Sequence, residues 1–394
     1  MRRALWHLAA LPVALALAGT SVATAQAESA SPLRFVAHTI DTGLTGGYQV
    51  VVADLNRDGR PDIIAVTLGL EELAWYENPG WEKHILVSGL ERMINLAAHD
   101  IDGDGIPELA LAHGFATSHE RSPGIVSLLT HQGDPTARWS IEEIDRVPTA
   151  HRLRWADPEG SGTRVLINAP LLGPAAASPD YRDRLSLFWY RPSDWQRRVL
   201  TTEEEGVVHG IFVAPRGDDA GGDEVLSASF LGIHSHRLDA GRWVRTRLTA
   251  GDPAPWPASG SSDVAVGELG GQRFLAAIEP WHGNQVVIYR GKGPSWQRTV
   301  IDTTIEDGHT IVVGDLDGDG RDEVVVGERR GKRSVYVYAT DGAAAESWSR
   351  QTIDDGGMAA AGCAIEDLNA DGRRDVVCIG TSTANLKWYE SRAQ

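Results

Sequence analysis

Short apolar runs alternate with polar loops along most of the chain, and the alternation itself repeats. One unit begins with "HTIVVG" and continues through an acidic loop, a second run "EVVVGE", a polar loop and a third run "SVYVYA". A turn and a fourth run, "SRQTI", complete the unit. Runs of about five residues, rich in valine, isoleucine and tyrosine and bounded by glycine or aspartate, favour strands over helices. The pattern therefore predicts a unit of four antiparallel strands.

The unit recurs about every 45 to 60 residues, and its first strand can be found seven times. The seven first strands read "YQVVVADL", "INLAAHDI", "HRLRWADP", "HGIFVAPR", "SDVAVGEL", "HTIVVGDL" and "GCAIEDL". Four-stranded units at this spacing are typical of β-propellers, in which each unit forms one blade. The sequence therefore predicts an all-β, seven-bladed β-propeller over residues 28–394.

The two ends of the repeat are complementary. The segment "LRFVAHTID", residues 33–41, has the pattern of a fourth strand but has no blade before it. The seventh unit ends at "LKWYESRAQ" and lacks a fourth strand. We expect the N-terminal strand to complete the last blade and close the ring, so that no sheet edge stays open. An ordinary all-β sandwich is the alternative, but it does not explain this complementarity.

Four of the units carry an acidic loop between the first and second strands. In "DLDGDGRDE", residues 315–323, Asp315, Asp317 and Asp319 present side-chain oxygens at alternate positions. Gly320 allows the tight turn, and Glu323 closes the site. Hard oxygen ligands at this spacing suit Ca²⁺. The predicted ligands are Asp54, Asn56, Asp58 and Asp62; Asp100, Asp102, Asp104 and Glu108; Asp315, Asp317, Asp319 and Glu323; and Asp367, Asn369, Asp371 and Asp375. A plain acidic turn without metal is the alternative.

Loops with this pattern resemble the FG-GAP and VCBS repeats of integrin α-chain propellers. The resemblance extends over most of residues 28–394. It implies structural calcium at up to four sites, each tying the first strand of a blade to the second.

The N-terminal segment has the features of an export signal. Two arginines precede an apolar run at residues 4–19, and small residues follow at Ala25 and Ala27. This arrangement predicts a signal peptide over residues 1–27 and a protein that is secreted or periplasmic. A membrane anchor is the alternative, but the run is short for a spanning helix. No other stretch is apolar enough to cross a bilayer.

Composition and cysteine content narrow the class of protein further. Hydrophobic residues make up 42% of the chain, which is too many for a disordered protein. The formal net charge of −17 argues against a nucleic-acid partner. Cys363 and Cys378 lie downstream of the export signal. They are read either as a disulfide or as two buried free thiols.

A set of polar residues falls in one register of the predicted ring. When the seven units are aligned on the first loop aspartate, the position six residues upstream marks the start of each innermost strand. These positions hold Tyr48, Ile94, His151, His209, Ser262, His309 and Ala361. Three histidines and a tyrosine are therefore expected around the mouth of the central channel.

The loops between second and third strands reach the same face of the predicted ring. They contribute His113, His234, Glu279, Trp281, His282, Asn284, Glu328, Arg329 and Arg330. A longer insert in blade three carries Tyr181 and Arg182 and could wall a pocket. Imidazoles near neutral pH transfer protons or bind transition metals, and guanidinium groups hold carboxylate or enolate oxygens. The alternative is a set of polar residues around ordered water in a channel.

Several blade-specific phrases, including "AHRLRWADPEG", "VVHGIFVAP" and "EPWHGNQVVIY", resemble the propeller of the aldos-2-ulose dehydratases. The resemblance implies elimination of water or alcohol from a ketosugar such as 1,5-anhydrofructose. It places His151, His209, His282 and His309 at the reaction site. The fungal enzyme carries a cupin-type portion after its propeller, and this sequence stops after the seventh unit. The resemblance therefore does not extend to an isomerising step that depends on such a portion.

These features favour a secreted carbohydrate-active carbon–oxygen lyase that acts on a ketosugar or a uronate-containing glycan. We expect a histidine of the trio, or Tyr48, to act as the base, and Glu279 or His282 as the acid. A divalent transition metal held by histidines, or Arg329 and Arg330, would stabilise the enolate. The substrate would contact Trp281, Asn284, His113, His234, Glu328, Arg329 and Arg330. A non-catalytic lectin or adhesion propeller is the alternative, although the unequal surroundings of the histidines favour a single axial site.

Overall fold

A computed structural model describes residues 33–217, 221–291, 295–342 and 347–392. The predicted signal peptide, residues 1–27, lies outside these ranges. The described residues form seven four-stranded antiparallel sheets, which confirms the predicted all-β seven-bladed propeller. A short 3-10 helix spans His119–Arg121. Within the described ranges, no helix has the length and apolarity needed to span a bilayer.

The strands follow one order in every blade, from the central channel outwards. The N-terminal strand is β1 (Arg34–Thr42). Blade one contains β2 (Gly47–Ala53), β3 (Asp62–Thr67), β4 (Glu72–Glu77) and β5 (Glu82–Ser88). Blade two contains β6 (Asn95–His99), β7 (Glu108–His113), β8 (Ile125–Thr130) and β9 (Ser140–Arg146). Blade three contains β10 (Ala150–Ala156), β11 (Val165–Pro170), β12 (Arg184–Tyr190) and β13 (Arg198–Glu205).

The remaining blades repeat this arrangement. Blade four contains β14 (Val208–Pro215), β15 (Asp223–Ser229), β16 (Gly232–Asp239) and β17 (Arg242–Thr249). Blade five contains β18 (Asp263–Leu269), β19 (Gln272–Glu279), β20 (Gln285–Arg290) and β21 (Gln297–Asp302). Blade six contains β22 (Gly308–Gly314), β23 (Glu323–Glu328), β24 (Val335–Ala339) and β25 (Ser349–Asp354). Blade seven contains β26 (Ala360–Glu366), β27 (Asp375–Gly380) and β28 (Asn385–Arg392).

Closure of the ring follows the sequence prediction. Strand β1 pairs antiparallel with β28, from Arg34 opposite Arg392 to Thr42 opposite Asn385. Blade seven thereby gains its fourth strand from the other end of the described chain. The same blade holds a disulfide between Cys363 of β26 and Cys378 of β27, which face each other across the strand pair. The two cysteines are therefore bonded in the structure, which decides between the two readings of the sequence.

The core lies between neighbouring blades. The second strands β3, β7, β11, β23 and β27 are buried at every position. A strand covered on both faces reads as a continuous apolar run and does not alternate with polar residues. Trp75 of blade one and Leu109 of blade two, for example, belong to the same buried cluster. Burial of this kind supplies most of the favourable free energy of folding.

A polar contact also joins consecutive blades near the outer strands. The hydroxyl of Tyr338 on β24 donates to Asp302 at the end of β21, at 2.7 Å, and Arg350 of β25 donates to the same carboxylate. Equivalent tyrosine–aspartate pairs join three other blade boundaries: Tyr76 with Asp41, Tyr190 with Asp145, and Tyr389 with Asp354. Each aspartate also accepts from a Lys or Arg, so the buried phenol and carboxylate are both satisfied.

Candidate functional site

The innermost strands begin with β-bulges that turn side chains into the channel. Pairing of β10 with β11 skips from Ala150 to Arg152 and leaves His151 unpaired. The same skip isolates Tyr48, His209, His309 and Ala361 in blades one, four, six and seven. A bulge bends its strand and re-aims the extra side chain. The predicted register of polar residues therefore depends on a recurring bulge, which the sequence pattern does not reveal.

Three histidines converge through their Nε2 atoms. The Nε2 atom of His209 lies 3.2 Å from that of His282 and 3.3 Å from that of His309. One ring nitrogen from each of the three lies within 4.8 Å of the others, a spacing compatible with a single metal ion. His151 packs against His209 with ring centroids 5.1 Å apart, and Tyr48 packs against His309 at the same distance. We call these five side chains the histidine cluster.

The histidine cluster fills the channel and is largely hidden from solvent. His151, His209 and His309 are only 1 to 2% exposed, and Tyr48 is 7% exposed. The sequence predicted these four residues around an open channel mouth, and their burial corrects that prediction. Phe115 packs on His151, and the apolar core of blades two to four surrounds the His151 ring. The side chain of His282 is 27% exposed and connects the cluster to solvent.

Oxygen atoms surround the cluster on the side opposite the converging Nε2 atoms. The Nδ1 atom of His309 donates to the carbonyl oxygen of Ala361 at 2.6 Å, because a carbonyl can only accept. The Nδ1 atom of His209 lies 3.3 Å from the Ser262 hydroxyl, and that of His282 lies 3.3 Å from Asp307 Oδ1. Metal-binding histidines typically donate their Nδ1 proton to an oxygen atom of this kind. The Nε2 lone pair then stays free for the metal.

His282 has a second partner that favours the opposite tautomer. Arg329 Nη2 lies 3.1 Å from its Nδ1 atom, and a guanidinium can only donate. Arg329 is also paired with Asp307, at 3.0 Å. A cation at the Nε2 atoms would select the tautomer in which Nδ1 donates to the carboxylate.

Electrostatics keep the histidines neutral. Burial, followed by the nearby charge of Arg329, lowers the pKa of His282 to about 3. Burial also holds the pKa values of His151, His209 and His309 well below their usual value, together with the charge of Arg152 at His151 and His209 and of Arg329 at His309. Metal binding requires neutral imidazole, so no proton competes for the Nε2 atoms at neutral pH. Three neutral imidazoles fit Zn²⁺ or a similar first-row transition metal.

A second pair in the cluster is arranged for proton transfer. The hydroxyl of Tyr48 lies 2.7 Å from His151 Nε2, and Arg152 Nη1 lies 3.1 Å from the same nitrogen. Because the guanidinium can only donate, Nε2 acts as an acceptor and the ring proton lies on Nδ1. That Nδ1 atom is buried and has no hydrogen-bond partner among the described residues.

An open cleft of about 560 Å³ lies beside His282. Its lining includes Trp281, Asn284, Asp307 and Arg330. Arg330 Nε lies 3.3 Å from Asp307 Oδ2, but the Arg330 side chain is otherwise exposed. The cleft therefore offers an aromatic face, an amide and a guanidinium next to the histidine cluster.

The blade-three insert contacts Trp281, which lines this cleft, but Tyr181 and Arg182 are not themselves part of the lining. Tyr181 meets Trp281 edge to face, with ring centroids 5.3 Å apart. Arg182 stacks over the Trp256 ring at 4.3 Å, and Trp256 donates to the backbone oxygen of Asp180. Within the described chain, the insert therefore reaches the cleft only through Trp281.

Four predicted site residues are directed into the blades and away from the cluster. Glu279 is fully buried, ion-paired with Arg298 at 2.8 Å, and accepts from Tyr289, so it is not available as an acid at the cleft. The others are buried as well: Glu328 accepts from the Tyr336 hydroxyl, His113 contacts the Ser127 hydroxyl, and His234 lies inside blade four. None of the four residues lines the cleft.

Two site residues were missed at the sequence level. Asp307 contacts His282, Arg329 and Arg330, yet it lies in the turn just before β22. Arg152 contacts both His151 and the Tyr48 ring. Asp307 lies two residues before His309, and Arg152 lies one residue after His151. Inspection of the residues next to the predicted histidines would therefore have identified both.

The acidic loops lie at the other end of the innermost strands and divide into two kinds. In the loops at 100–108 and 315–323, Asp100, Asp102 and Glu108, and likewise Asp315, Asp317 and Glu323, come within 4.8 Å of one another. Glu108 accepts from Ile101 through one oxygen, and its other oxygen is buried without a hydrogen-bond partner in the described chain.

In the other two loops, the closing aspartate uses both oxygens for backbone contacts. Asp62 accepts from the amides of Leu55 and Asn78, and Asp375 from those of Leu368 and Ser391.

In the loop at 315–323, burial and the neighbouring carboxylates raise the pKa of Glu323 to about 8. The crowding of negative charge in that loop is the environment that a bound cation would stabilise.

Comparison with known proteins supports the resemblance proposed from the sequence. Residues 123–292 match the family described as aldos-2-ulose dehydratase, beta-propeller domain, and residues 315–378 match an FG-GAP-like repeat. The chain is 24% identical over 345 residues to aldos-2-ulose dehydratase of Phanerodontia chrysosporium. That alignment covers 76% of this chain and 38% of the relative, so the chain spans less than half of its length.

Two solved structures share the fold at low sequence identity. The WD40 β-propeller domain of Doa1 has a TM-score of 0.58 at 10% identity, covering 91% of this chain and 97% of that one. Virginiamycin B lyase from Staphylococcus aureus has a TM-score of 0.56 at 13% identity, covering 91% and 99%. These similarities establish the propeller architecture.

Proposed function

We propose that this protein is a secreted carbohydrate-active carbon–oxygen lyase that eliminates water or alcohol from a sugar at the histidine cluster. The observation that carries the proposal is the convergence of the His209, His282 and His309 Nε2 atoms beside the cleft. The similarity to aldos-2-ulose dehydratase directs the choice of reaction towards elimination from a ketosugar.

Elimination next to a carbonyl has three requirements. A base takes the proton from the α-carbon, a positive group stabilises the enolate, and an acid protonates the departing oxygen. A C=C bond forms as the C–O bond breaks, and the proton and leaving group depart as water or an alcohol. The cluster and its rim contain groups suited to each requirement.

The converging histidines would hold a divalent transition metal. Bound at the three Nε2 atoms, such an ion would supply Lewis-acid polarisation of a substrate oxygen. His209 and His309 are fixed for this task by Ser262 and by the carbonyl of Ala361. The neutral state of the rings leaves their lone pairs available at physiological pH.

We assign proton transfer to the Tyr48–His151 pair. The 2.7 Å contact lets a proton pass between the phenol oxygen and His151 Nε2. Arg330, exposed at the cleft, would contact an anionic or hydroxyl oxygen of the substrate, and Trp281 would present its ring to the sugar. Glu279 has no role in this assignment because its carboxylate is held by Arg298.

The test is an absorbance scan of purified protein loaded in turn with Zn²⁺, Co²⁺, Mn²⁺ or Mg²⁺. Substrates are 1,5-anhydrofructose, other ketosugars and uronate polysaccharides, and the readout is new ultraviolet absorbance from a conjugated product. His309→Ala should lose the signal, and Asp54→Asn, in a distant acidic loop, should keep it. If folded, metal-loaded protein gives no new ultraviolet absorbance with either the ketosugars or the uronate polysaccharides, the proposal is contradicted. Tight glycan binding without product would instead favour a non-catalytic binding propeller.

A further inference from the structure

The channel beneath the histidine cluster contains three charged side chains whose charges do not balance one another. A cavity of about 160 Å³ lies there, bounded above by Tyr48 and His309. Two arginines of β10, Arg152 and Arg154, and one aspartate of β18, Asp263, line it. Its lining shares no residue with that of the open cleft beside His282.

In blades one, two and six, the residue that follows Tyr48, Ile94 or His309 ties its innermost strand to the next one. Gln49 accepts from and donates to the backbone of Leu96, at 2.6 and 3.1 Å. Asn95 accepts from the Leu153 amide, and the Thr310 hydroxyl accepts from the Cys363 amide. These contacts hold neighbouring blades together at the channel wall.

Arg152 and Asp263 occupy the equivalent positions in blades three and five but make no such contact. Arg152 is 94% buried, and its hydrogen bonding within the described residues is limited to one bond, to His151 Nε2. Asp263 accepts from the Val264 amide, and its carboxylate lies over Gly210, where any β-carbon would collide with it. Their charged groups face the cavity and do not link strands.

The charges in the cavity do not balance. Arg154 donates to Asn95 Oδ1 and to the Leu153 carbonyl, both uncharged acceptors. Among the described residues, neither Arg152 nor Arg154 has a carboxylate within ion-pair distance. Two guanidinium cations and one carboxylate leave one net positive charge beneath a cluster of neutral histidines. A buried charge is costly unless a partner compensates it.

We infer that the cavity beneath the histidine cluster is a binding site for one small monovalent anion, of the halide or carboxylate class, held by Arg152 and Arg154. Guanidinium groups present several N–H donors in a fixed plane and bind such anions well. A monovalent anion balances the single net positive charge of the cavity. Asp263 already offsets one of the two guanidinium charges, so a divalent anion would exceed the charge that remains. Burial and the neighbouring Arg152 lower the pKa of Arg154 to about 10, in agreement with uncompensated positive charge.

Crystals grown in sodium bromide and in sodium formate test the site directly. Anomalous density for bromide, or planar density for formate, against the two guanidinium groups is expected. The melting temperature, measured with saturating Ca²⁺, should rise by several degrees when bromide, chloride or formate replaces gluconate at equal ionic strength. Density for water alone in the cavity, or stabilisation by sulfate with none by the monovalent anions, overturns the inference.

Matched variants separate this site from a general salt effect. Arg154→Gln and Arg152→Gln should abolish the response to bromide, and Arg146→Gln, on an outer strand, should retain it. Asp263→Asn raises the net positive charge and should strengthen anion binding several-fold, so the two kinds of variant act in opposite directions. If Arg152→Gln does not fold, Arg154→Gln and Asp263→Asn still decide the question. An unchanged response in both overturns the inference.

Discussion

The Nε2 atoms of His209 and His309 face each other at 3.3 Å, although the two residues belong to blades four and six, with one blade between them. The Nδ1 atom of His309 donates to Ala361, so its Nε2 atom carries a lone pair when the ring is neutral. If His209 donates to Ser262, two lone pairs point at one another. Such an arrangement is stable only with a proton or a cation between them.

The first prediction concerns this pair. His309→Ala should lose the transition metal and reduce turnover on the order of a hundredfold or more. Because His309 is buried and hydrogen-bonded, the free energy of unfolding of the metal-free protein should fall by about 1–3 kcal/mol. Elemental analysis, turnover and urea denaturation of the metal-free protein check the three effects. His38→Ala, on the outer strand β1, is the control. A His309→Ala protein that keeps both metal and activity would show that the histidine cluster is neither the metal site nor the reaction site.

The second prediction concerns calcium. At the four predicted ligand positions, the loops at 100–108 and 315–323 each carry four carboxylates, whereas the loops at 54–62 and 367–375 carry three and an asparagine. Affinity for Ca²⁺ rises with ligand charge. We expect two tight and two weaker sites, resolved as two phases by calorimetric titration of chelator-treated protein.

Loss of calcium should also lower the melting temperature. A ligand at a hundredfold excess over its dissociation constant stabilises the folded state by about 2.7 kcal/mol. Glu323→Gln should remove one of the two tight sites and so halve the tight phase, and the equivalent change Asp375→Asn should affect one of the weaker sites. Equal affinities at all four loops, or no effect of chelator, would contradict this ordering.

The third prediction concerns the contacts between blades. Tyr338→Phe removes the hydroxyl that donates to Asp302 and should lower the free energy of unfolding by about 1 kcal/mol or somewhat more. Tyr181→Phe is the matched control, because no hydrogen bond of the Tyr181 hydroxyl contributes to the described fold. Urea denaturation of both variants measures the difference. Equal stability of Tyr338→Phe and wild type would show that the contact adds nothing.

The same contact has a pH dependence. Burial opposes ionisation of Asp302, but hydrogen bonds from Thr304 and Tyr338 outweigh it and hold the pKa of the carboxyl below its usual value. Its stabilising contribution is therefore complete above the unfolded pKa of about 3.9 and is lost as the pH falls through the folded value. This acid-side loss should be smaller in Tyr338→Phe.

The fourth prediction concerns His113, which is enclosed in blade two. Burial lowers the pKa of His113 to about 4, compared with about 6.5 in an unfolded chain. The unfolded state therefore binds the proton first, and stability should fall as the pH drops from about 6.5 to about 4, by at most about 3 kcal/mol. His113→Gln should flatten the stability profile in this window. A profile identical to wild type would mean that His113 does not titrate there.

The blade count, the closing strand and the alignment of Tyr48, His151, His209 and His309 could be predicted from the sequence. Each rests on a pattern that repeats along the chain, and repetition fixes register. The bulges that aim these side chains inwards could not be predicted, because a bulge is defined by the pairing partner. The burial of the cluster depends on Phe115 and on loops from other blades.

The error at Glu279 has a related cause. In "EPWHGN" it precedes a loop, and a loop position suggests access to solvent. Its partner Arg298 lies 19 residues later, on a strand two places away in the same blade. The interblade aspartates were detectable, because Asp41, Asp145, Asp302 and Asp354 all follow an isoleucine at the end of a fourth strand.

The pairing of β1 with β28 has a consequence for how the chain matures. His38 and Glu390 are joined by a hydrogen bond across 352 positions, so the strand synthesised first must wait for the strand synthesised last. Blades one to six can assemble in order as they emerge, but the ring cannot close until translation of β28 is complete. Closing so long a loop is entropically slow, and the waiting strand edge is open to wrong partners. Completion of the ring, rather than formation of any blade, should therefore limit the rate at which native protein appears.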